Sequence, residues 1–135
     1  MMKVSDCQFI QNDYSFSELL PVIQTGKKVV LYGAGTAPSS YARIAIPAFR
    51  SFGIEPIAFV DDDLDRQGEE FLGIKVEPPS YIESLGSDTM VFLSSNYFES
   101  IARTIKTIGK TENIFSCTGI LRAVSEDAYS EVMSF

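Results

Sequence analysis

The sequence predicts a three-layer α/β domain with a mostly parallel sheet of about five strands. Three observations carry this. Short apolar runs of strand length alternate with stretches of helical period. Two of those runs, Val29-Val30-Leu31 and Thr89–Leu93, show no polar alternation, as expected of parallel strands covered on both faces. The first run ends in Gly33-Ala34-Gly35, and the next strand ends at Val60 in Asp61-Asp62-Asp63.

Taken in order, residues 1–14 have no clear period and read as a loose arm or a short edge strand. Ser15-Phe16-Ser17-Glu18 fits a capping box, and Phe16, Leu19, Leu20 and Ile23 follow at helical spacing. Pro21 either moves the helix start to Ser17 or leaves one hydrogen bond unmade. Thr25-Gly26 ends that helix, and 27–32 is the first strand. Residues 36–52 read as a long helix with Tyr41, Ile44, Ala45, Ala48, Phe49 and Phe52 on its apolar face. Pro38 suits a first turn, whereas Pro47 predicts a kink or break near 43–46. Residues 55–60 form the second strand, 61–70 an acidic loop, and 71–76 a turn leading into a short third strand. A short helix at 80–85 follows Pro78-Pro79. The fourth strand is Thr89–Leu93, then a helix over 96–108 stopped by Gly109, then a short fifth strand at 113–117. Right-handed crossovers place the first and fourth strands side by side at the centre. Their carboxyl ends form the crevice where open α/β sheets bind ligands.

The expected organisation is an arm and short helix over 1–26, a nucleotide-binding domain over 27–117 and a helical tail over 118–135. Tyr129, Val132, Met133 and Phe135 give the tail an apolar strip, on a short helix begun by Ser125-Glu126-Asp127. That strip predicts packing on the domain, on a second copy or on a partner catalytic domain.

A chain of 135 residues makes one domain with a real core. A net charge of −7 argues against nucleic acid and anionic membranes as partners, since both need a basic footprint. A nucleotide stays open, because backbone N–H groups at a helix start hold phosphate without a cation. No apolar run approaches the ~20 residues of a membrane span, and no secretory stretch opens the chain, so a cytoplasmic protein without membrane insertion is expected. Cys7 and Cys117 have no zinc spacing, and there is no histidine. No metal is expected, and triads that rely on histidine are excluded.

The glycine pair and the acid carry the functional reading. In a dinucleotide-binding fold the first glycine allows a tight turn, the second lets phosphate approach the backbone, and the acid accepts ribose hydroxyls. Gly33, Ala34, Gly35 and Thr36 are therefore candidate phosphate contacts, with Pro38 standing where a full fingerprint has its third glycine. Ser39 and Ser40 can bond phosphate oxygens or simply satisfy helix-start donors. Asp61 is the ribose candidate, and an acid there favours NAD-type or uridine-type ligands over NADP. Asp62 is a second nucleoside candidate, while Asp62, Asp63 and Asp65 also read as a solvated acidic turn that lacks the offsets of a calcium loop. Ser94-Ser95-Asn96-Tyr97 can line the cleft floor, and Ser95 or Asn96 can cap the following helix. Arg43 either faces the cleft or faces solvent. Neither Tyr41 nor Tyr97 is followed four residues on by lysine, so a Tyr-x-x-x-Lys proton donor is missing.

The ordered series Val29-Val30-Leu31-Tyr32-Gly33-Ala34-Gly35, Pro56-Ile57-Ala58-Phe59-Val60-Asp61-Asp62-Asp63, Gly68 and Leu72-Gly73-Ile74-Lys75-Val76 resembles a known domain. This is the Rossmann-like domain at the N-terminus of nucleotide-sugar acetyltransferases. It recurs in polysaccharide-biosynthesis dehydratases and beside FkbM-type methyltransferases. The resemblance implies a holder of a nucleotide or nucleotide-sugar, NAD or a UDP-sugar, with phosphate at Gly33 and Gly35 and the nucleoside near Asp61 and Asp62. It implies an accessory or regulatory role in bacterial surface-glycan biosynthesis, with catalysis in another domain and none by the isolated chain. The alternatives are a fragment of an NAD-dependent oxidoreductase or dehydratase, and a protein-interaction domain with a degenerate pocket.

Overall fold

A six-stranded sheet with strand order β3-β4-β2-β1-β5-β6 organises the molecule, seen in a computed structural model that describes residues 7–35, 41–95 and 97–123. The elements in chain order are α1 (Phe16–Ile23), β1 (Lys28–Tyr32), α2 (Ala42–Ser51), β2 (Ala58–Val60), β3 (Glu70–Phe71), β4 (Ile74–Glu77), β5 (Thr89–Leu93), α3 (Phe98–Ile108) and β6 (Ile114–Ser116). A 3₁₀ turn spans Pro79–Ser84, and residues 118–123 are helical. All pairings are parallel except β3 with β4. β1 and β5 lie side by side over five residues, from Lys28↔Thr89 to Tyr32↔Leu93.

The strand period of two sorts side chains into two apolar layers. Val29 and Leu31 of β1, with Met90 and Phe92 of β5, join one core with Phe16, Ile46, Phe49 and Ile120. Val30, Tyr32, Val91 and Leu93 join the other with Ile82, Ile101, Ala102 and Ile105. Helices therefore cover both faces, which gives the three layers. An aromatic chain runs through the first core: Phe16–Phe49 at 5.8 Å, Phe49–Phe92 at 5.1 Å and Phe92–Phe115 at 5.2 Å between ring centroids. Burying each of these rings contributes about 1.5–3 kcal/mol.

The elements differ from expectation at instructive points. The sheet has six strands because Glu70–Phe71 pairs antiparallel with β4 through a two-residue hairpin. Leu72 and Gly73 have φ of 55° and 80°, the paired positive values that such a tight loop needs. Arg50 fastens this hairpin to α2, donating to the Leu72 carbonyl at 2.8 Å while bridging Glu55 with two bonds. α1 starts at Phe16, capped by the Ser15 hydroxyl, and runs on past Pro21. α2 is continuous across Pro47 and does not break there. Its start is later than expected: Tyr41 is the non-helical cap, because its N–H donates to the Ser94 carbonyl at the end of β5, at 2.7 Å. Among the described residues the arm contributes one isolated parallel bridge, Gln11 to Phe115, at the sheet edge. The tail strip lies outside the described residues. Among those described, no helix is long and apolar enough to cross a membrane.

Three buried protons set the alkaline limit of this fold. Burial pushes the Cys117 thiol from 9.0 up to about 12. Tyr14 and Tyr32 are also raised from their ordinary 10.0, each mainly by burial. The folded chain keeps these protons where the unfolded chain releases them. Their contribution to stability is therefore fully present below pH 9 and is lost as pH rises toward 12, at about 1.4 kcal/mol per pH unit for the Cys117 thiol alone. Urea unfolding at pH 8, 9.5 and 11 tests this, and a flat profile would refute it.

Candidate functional site

The chain leaves β1 toward β2 and β4 on one side, then returns to β5 on the other, so the strand order reverses between β1 and β5. At that point the carboxyl ends of β1, β2 and β5 meet around the glycine turn. Gly33 has φ of 127°, and a side-chain carbon there would stand 3.1 Å from both Ser94 Oγ and Ser95 Cβ. Its N–H donates to the Val60 carbonyl at 2.8 Å, and its carbonyl accepts the Ser94 hydroxyl at 2.6 Å. The close approach that requires this glycine comes from the end of β5.

Ala34 is fully buried and held on both sides. Its N–H donates to Asp61 Oδ2 at 2.7 Å, and its carbonyl accepts from Arg66 Nη2 at 2.5 Å. Asp61 Oδ1 accepts the Asp63 N–H at 2.9 Å, and Asp63 Oδ1 accepts the Asp65 N–H at 2.9 Å. The acidic run is thus a chain of Asx turns, further tied by Gln67 Nε2 donating to the Asp61 carbonyl at 3.0 Å. Each Asp61 oxygen holds one backbone N–H and keeps a second lone pair. Asp62 Oδ1 accepts the buried Tyr32 hydroxyl at 2.5 Å, and Asp62 itself is exposed. The half-buried Gly35 forms no N–H bond among the described residues.

The structure therefore brings Gly33, Ala34, Gly35, Asp61, Asp62, Ser94 and Ser95 to one edge. Thr36 and Ser39 lie outside the described residues. Ser94 and Ser95 are buried beneath the turn, and Ser95 Oγ accepts the Tyr97 N–H at 3.2 Å, just before α3. Arg66 escaped the sequence reading, although it is the one cation in the acidic stretch 61–70. Its guanidinium carbon sits 4.7 Å from the Phe71 ring centroid, and that of Arg43 sits 5.3 Å from the same centroid. Both are cation–π distances.

At the end of β5 a separate cavity of about 270 Å³ is lined by Tyr41, Leu93, Phe98, Cys117, Thr118, Leu121 and Arg122. A larger cavity of about 360 Å³ lies at the opposite edge, between the 3₁₀ turn and the end of α3, remote from the glycine turn. No three acids or cysteines group as metal ligands among the described residues.

Strand order, register and the turn at the reversal point define a Rossmann-like α/β domain. The chain belongs to the family described as C2185-like, N-terminal, which matches residues 25–115, from just before β1 into β6. Among solved structures it is similar to UDP-D-quinovosamine 4-dehydrogenase from Vibrio fischeri, with 26% identity, 67% of this chain and 75% of that chain covered, and a TM-score of 0.45. It is also similar to RSP, a Rex-family repressor, with 13% identity, 87% and 67% covered, and a TM-score of 0.47. The same repressor in complex with beta-NADH gives 13% identity, 87% and 68% covered, and a TM-score of 0.46. No curated protein sequence matches the chain. The fold assignment rests on the strand order and register of this chain.

Proposed function

We propose that the domain binds a nucleotide or nucleotide-sugar at the β1–β5 reversal, as an accessory module to a catalytic partner in glycan biosynthesis. One observation carries the reading. A glycine turn ends the central strand with the Gly35 N–H unfilled among the described residues, flanked by a guanidinium and by acids at the end of β2. In this reading Gly33 and Ala34 shape the turn, while Gly35, Thr36 and Ser39 meet phosphate. Asp61 and Asp62 receive ribose hydroxyls on their remaining lone pairs. Ser94 and Ser95 support the floor.

The chain has no histidine, the commonest general base at neutral pH, which favours holding over turnover. Thermal unfolding with NAD, UDP and a UDP-sugar tests the proposal. A ligand at ten times its Kd adds about 1.4 kcal/mol, a rise in Tm of about 5 °C for a domain of this size. No shift with any of them at millimolar concentration would end it. Reduction of NAD in the presence of a UDP-sugar by the isolated chain would instead favour the oxidoreductase reading.

A further inference from the structure

Resting on the nucleotide reading, we propose that Arg66 and Arg43 together form a phosphate-recognising subsite, over Phe71 and beside Ala34–Gly35, that takes the diphosphate of a nucleoside diphosphate ligand. The argument begins with charge. The chain has 18 acidic and 11 basic residues, and six of the acids, Asp61, Asp62, Asp63, Asp65, Glu69 and Glu70, lie within five positions of Arg66. Three other cations have carboxylate partners: Lys28 with Asp88, Arg50 with Glu55, Lys75 with Glu77. Among the described residues neither Arg43 nor Arg66 has one. Three of these acids, Asp61, Asp62 and Asp63, are turned onto backbone N–H groups and the Tyr32 hydroxyl instead.

The second observation is Arg66 itself. Of its five N–H donors, one reaches the Ala34 carbonyl. Its Nε is buried with no hydrogen-bond partner among the described residues. Buried polar groups in native folds are overwhelmingly paired, so an unpaired buried Nε calls for an explanation, and a bound anion is one. The guanidinium is fixed at one edge by Ala34 and across its face by Phe71, so it is pre-organised to present its remaining Nη edge. Arg43, carried on the first turn of α2 and itself exposed, places its guanidinium carbon 5.3 Å from the centroid of the same ring. Two planar forks held at one ring suit two or more anionic oxygens, and a lysine would not reproduce that geometry. A diphosphate supplies those oxygens.

Isothermal titration of the full chain with UDP, ADP and inorganic pyrophosphate, with uridine and adenosine as controls without phosphate, tests the subsite. Wild type is expected to bind a nucleoside diphosphate at least tenfold tighter than its nucleoside. Arg43→Gln should weaken the diphosphate about tenfold, leave the nucleoside unchanged and flatten the salt dependence, with the Tm held. Arg66→Gln should weaken it more. If that variant fails to fold, Arg66→Lys and Arg43→Gln decide. Nucleotide binding unaffected by the arginine variants overturns the subsite and leaves the nucleotide reading standing. Pyrophosphate binding that depends on Arg43, with nucleotides no tighter than pyrophosphate, keeps the subsite and ends the nucleotide reading. Binding of neither overturns both.

Discussion

Gly33→Ala is expected to destabilise the domain by about 3–5 kcal/mol, from two sources that add. A φ of 127° is a region an alanine enters only under strain. The new methyl would also press on Ser94 and Ser95 at 3.1 Å, where the carbonyl of Gly33 and the hydroxyl of Ser94 are already bonded. Neither neighbour can retreat easily, since the Ser94 N–H and carbonyl are tied to Tyr32 and to Tyr41. Urea unfolding measures the loss, and a change below about 1 kcal/mol would contradict the geometry. Loss of ligand binding in this variant would report the fold, so it is the wrong probe for phosphate contact.

Asp61→Ala is expected to lower stability by about 2–4 kcal/mol before any ligand is considered. It strands the N–H of fully buried Ala34 and frees the Asp63 N–H of the acidic turn. Asp61→Asn keeps one acceptor oxygen for two donors, and an intermediate loss of about 1–2 kcal/mol follows. Equal stability of all three proteins in urea would show that the carboxylate does not hold the turn. A role in ribose binding is therefore separable only by comparing affinities at matched fractions folded, or through Asp62→Ala, whose exposed side chain bonds Tyr32 alone among the described residues.

The parallel core of the sheet was legible because its strands are apolar on both faces. Thr89–Leu93 and β1 were read within one residue. The β3 strand was not, since Glu70–Phe71 is too short to show a period and pairs only because the Leu72-Gly73 loop folds it back. The start of α2 was misplaced for a tertiary reason: the Ser94 carbonyl captures the Tyr41 N–H from across the sheet edge. The site was legible as a list of residues, and less so as a set of bonds. Asp61 stands at its strand end as foreseen, yet its carboxylate turns onto Ala34, 27 residues earlier. Arg66 looked like one polar residue in a loop because its partners, Ala34 and Phe71, are brought to it only by the folded sheet.

The two-sided hold on Ala34 also bears on how quickly a ligand can arrive. Both restraints come from the same turn after β2, a carboxylate on the N–H and a guanidinium on the carbonyl. An anion seeking the Ala34 N–H must evict another anion, against charge repulsion and with the turn unlatched, so its entry is gated by an opening step. An anion content with Gly35 and the arginine edge meets no such gate. If phosphate binds at this turn as proposed, the clasp would sort ligands by where their charge sits, slowing those that must reach the Ala34 N–H relative to those that meet only Gly35 and the arginine edge.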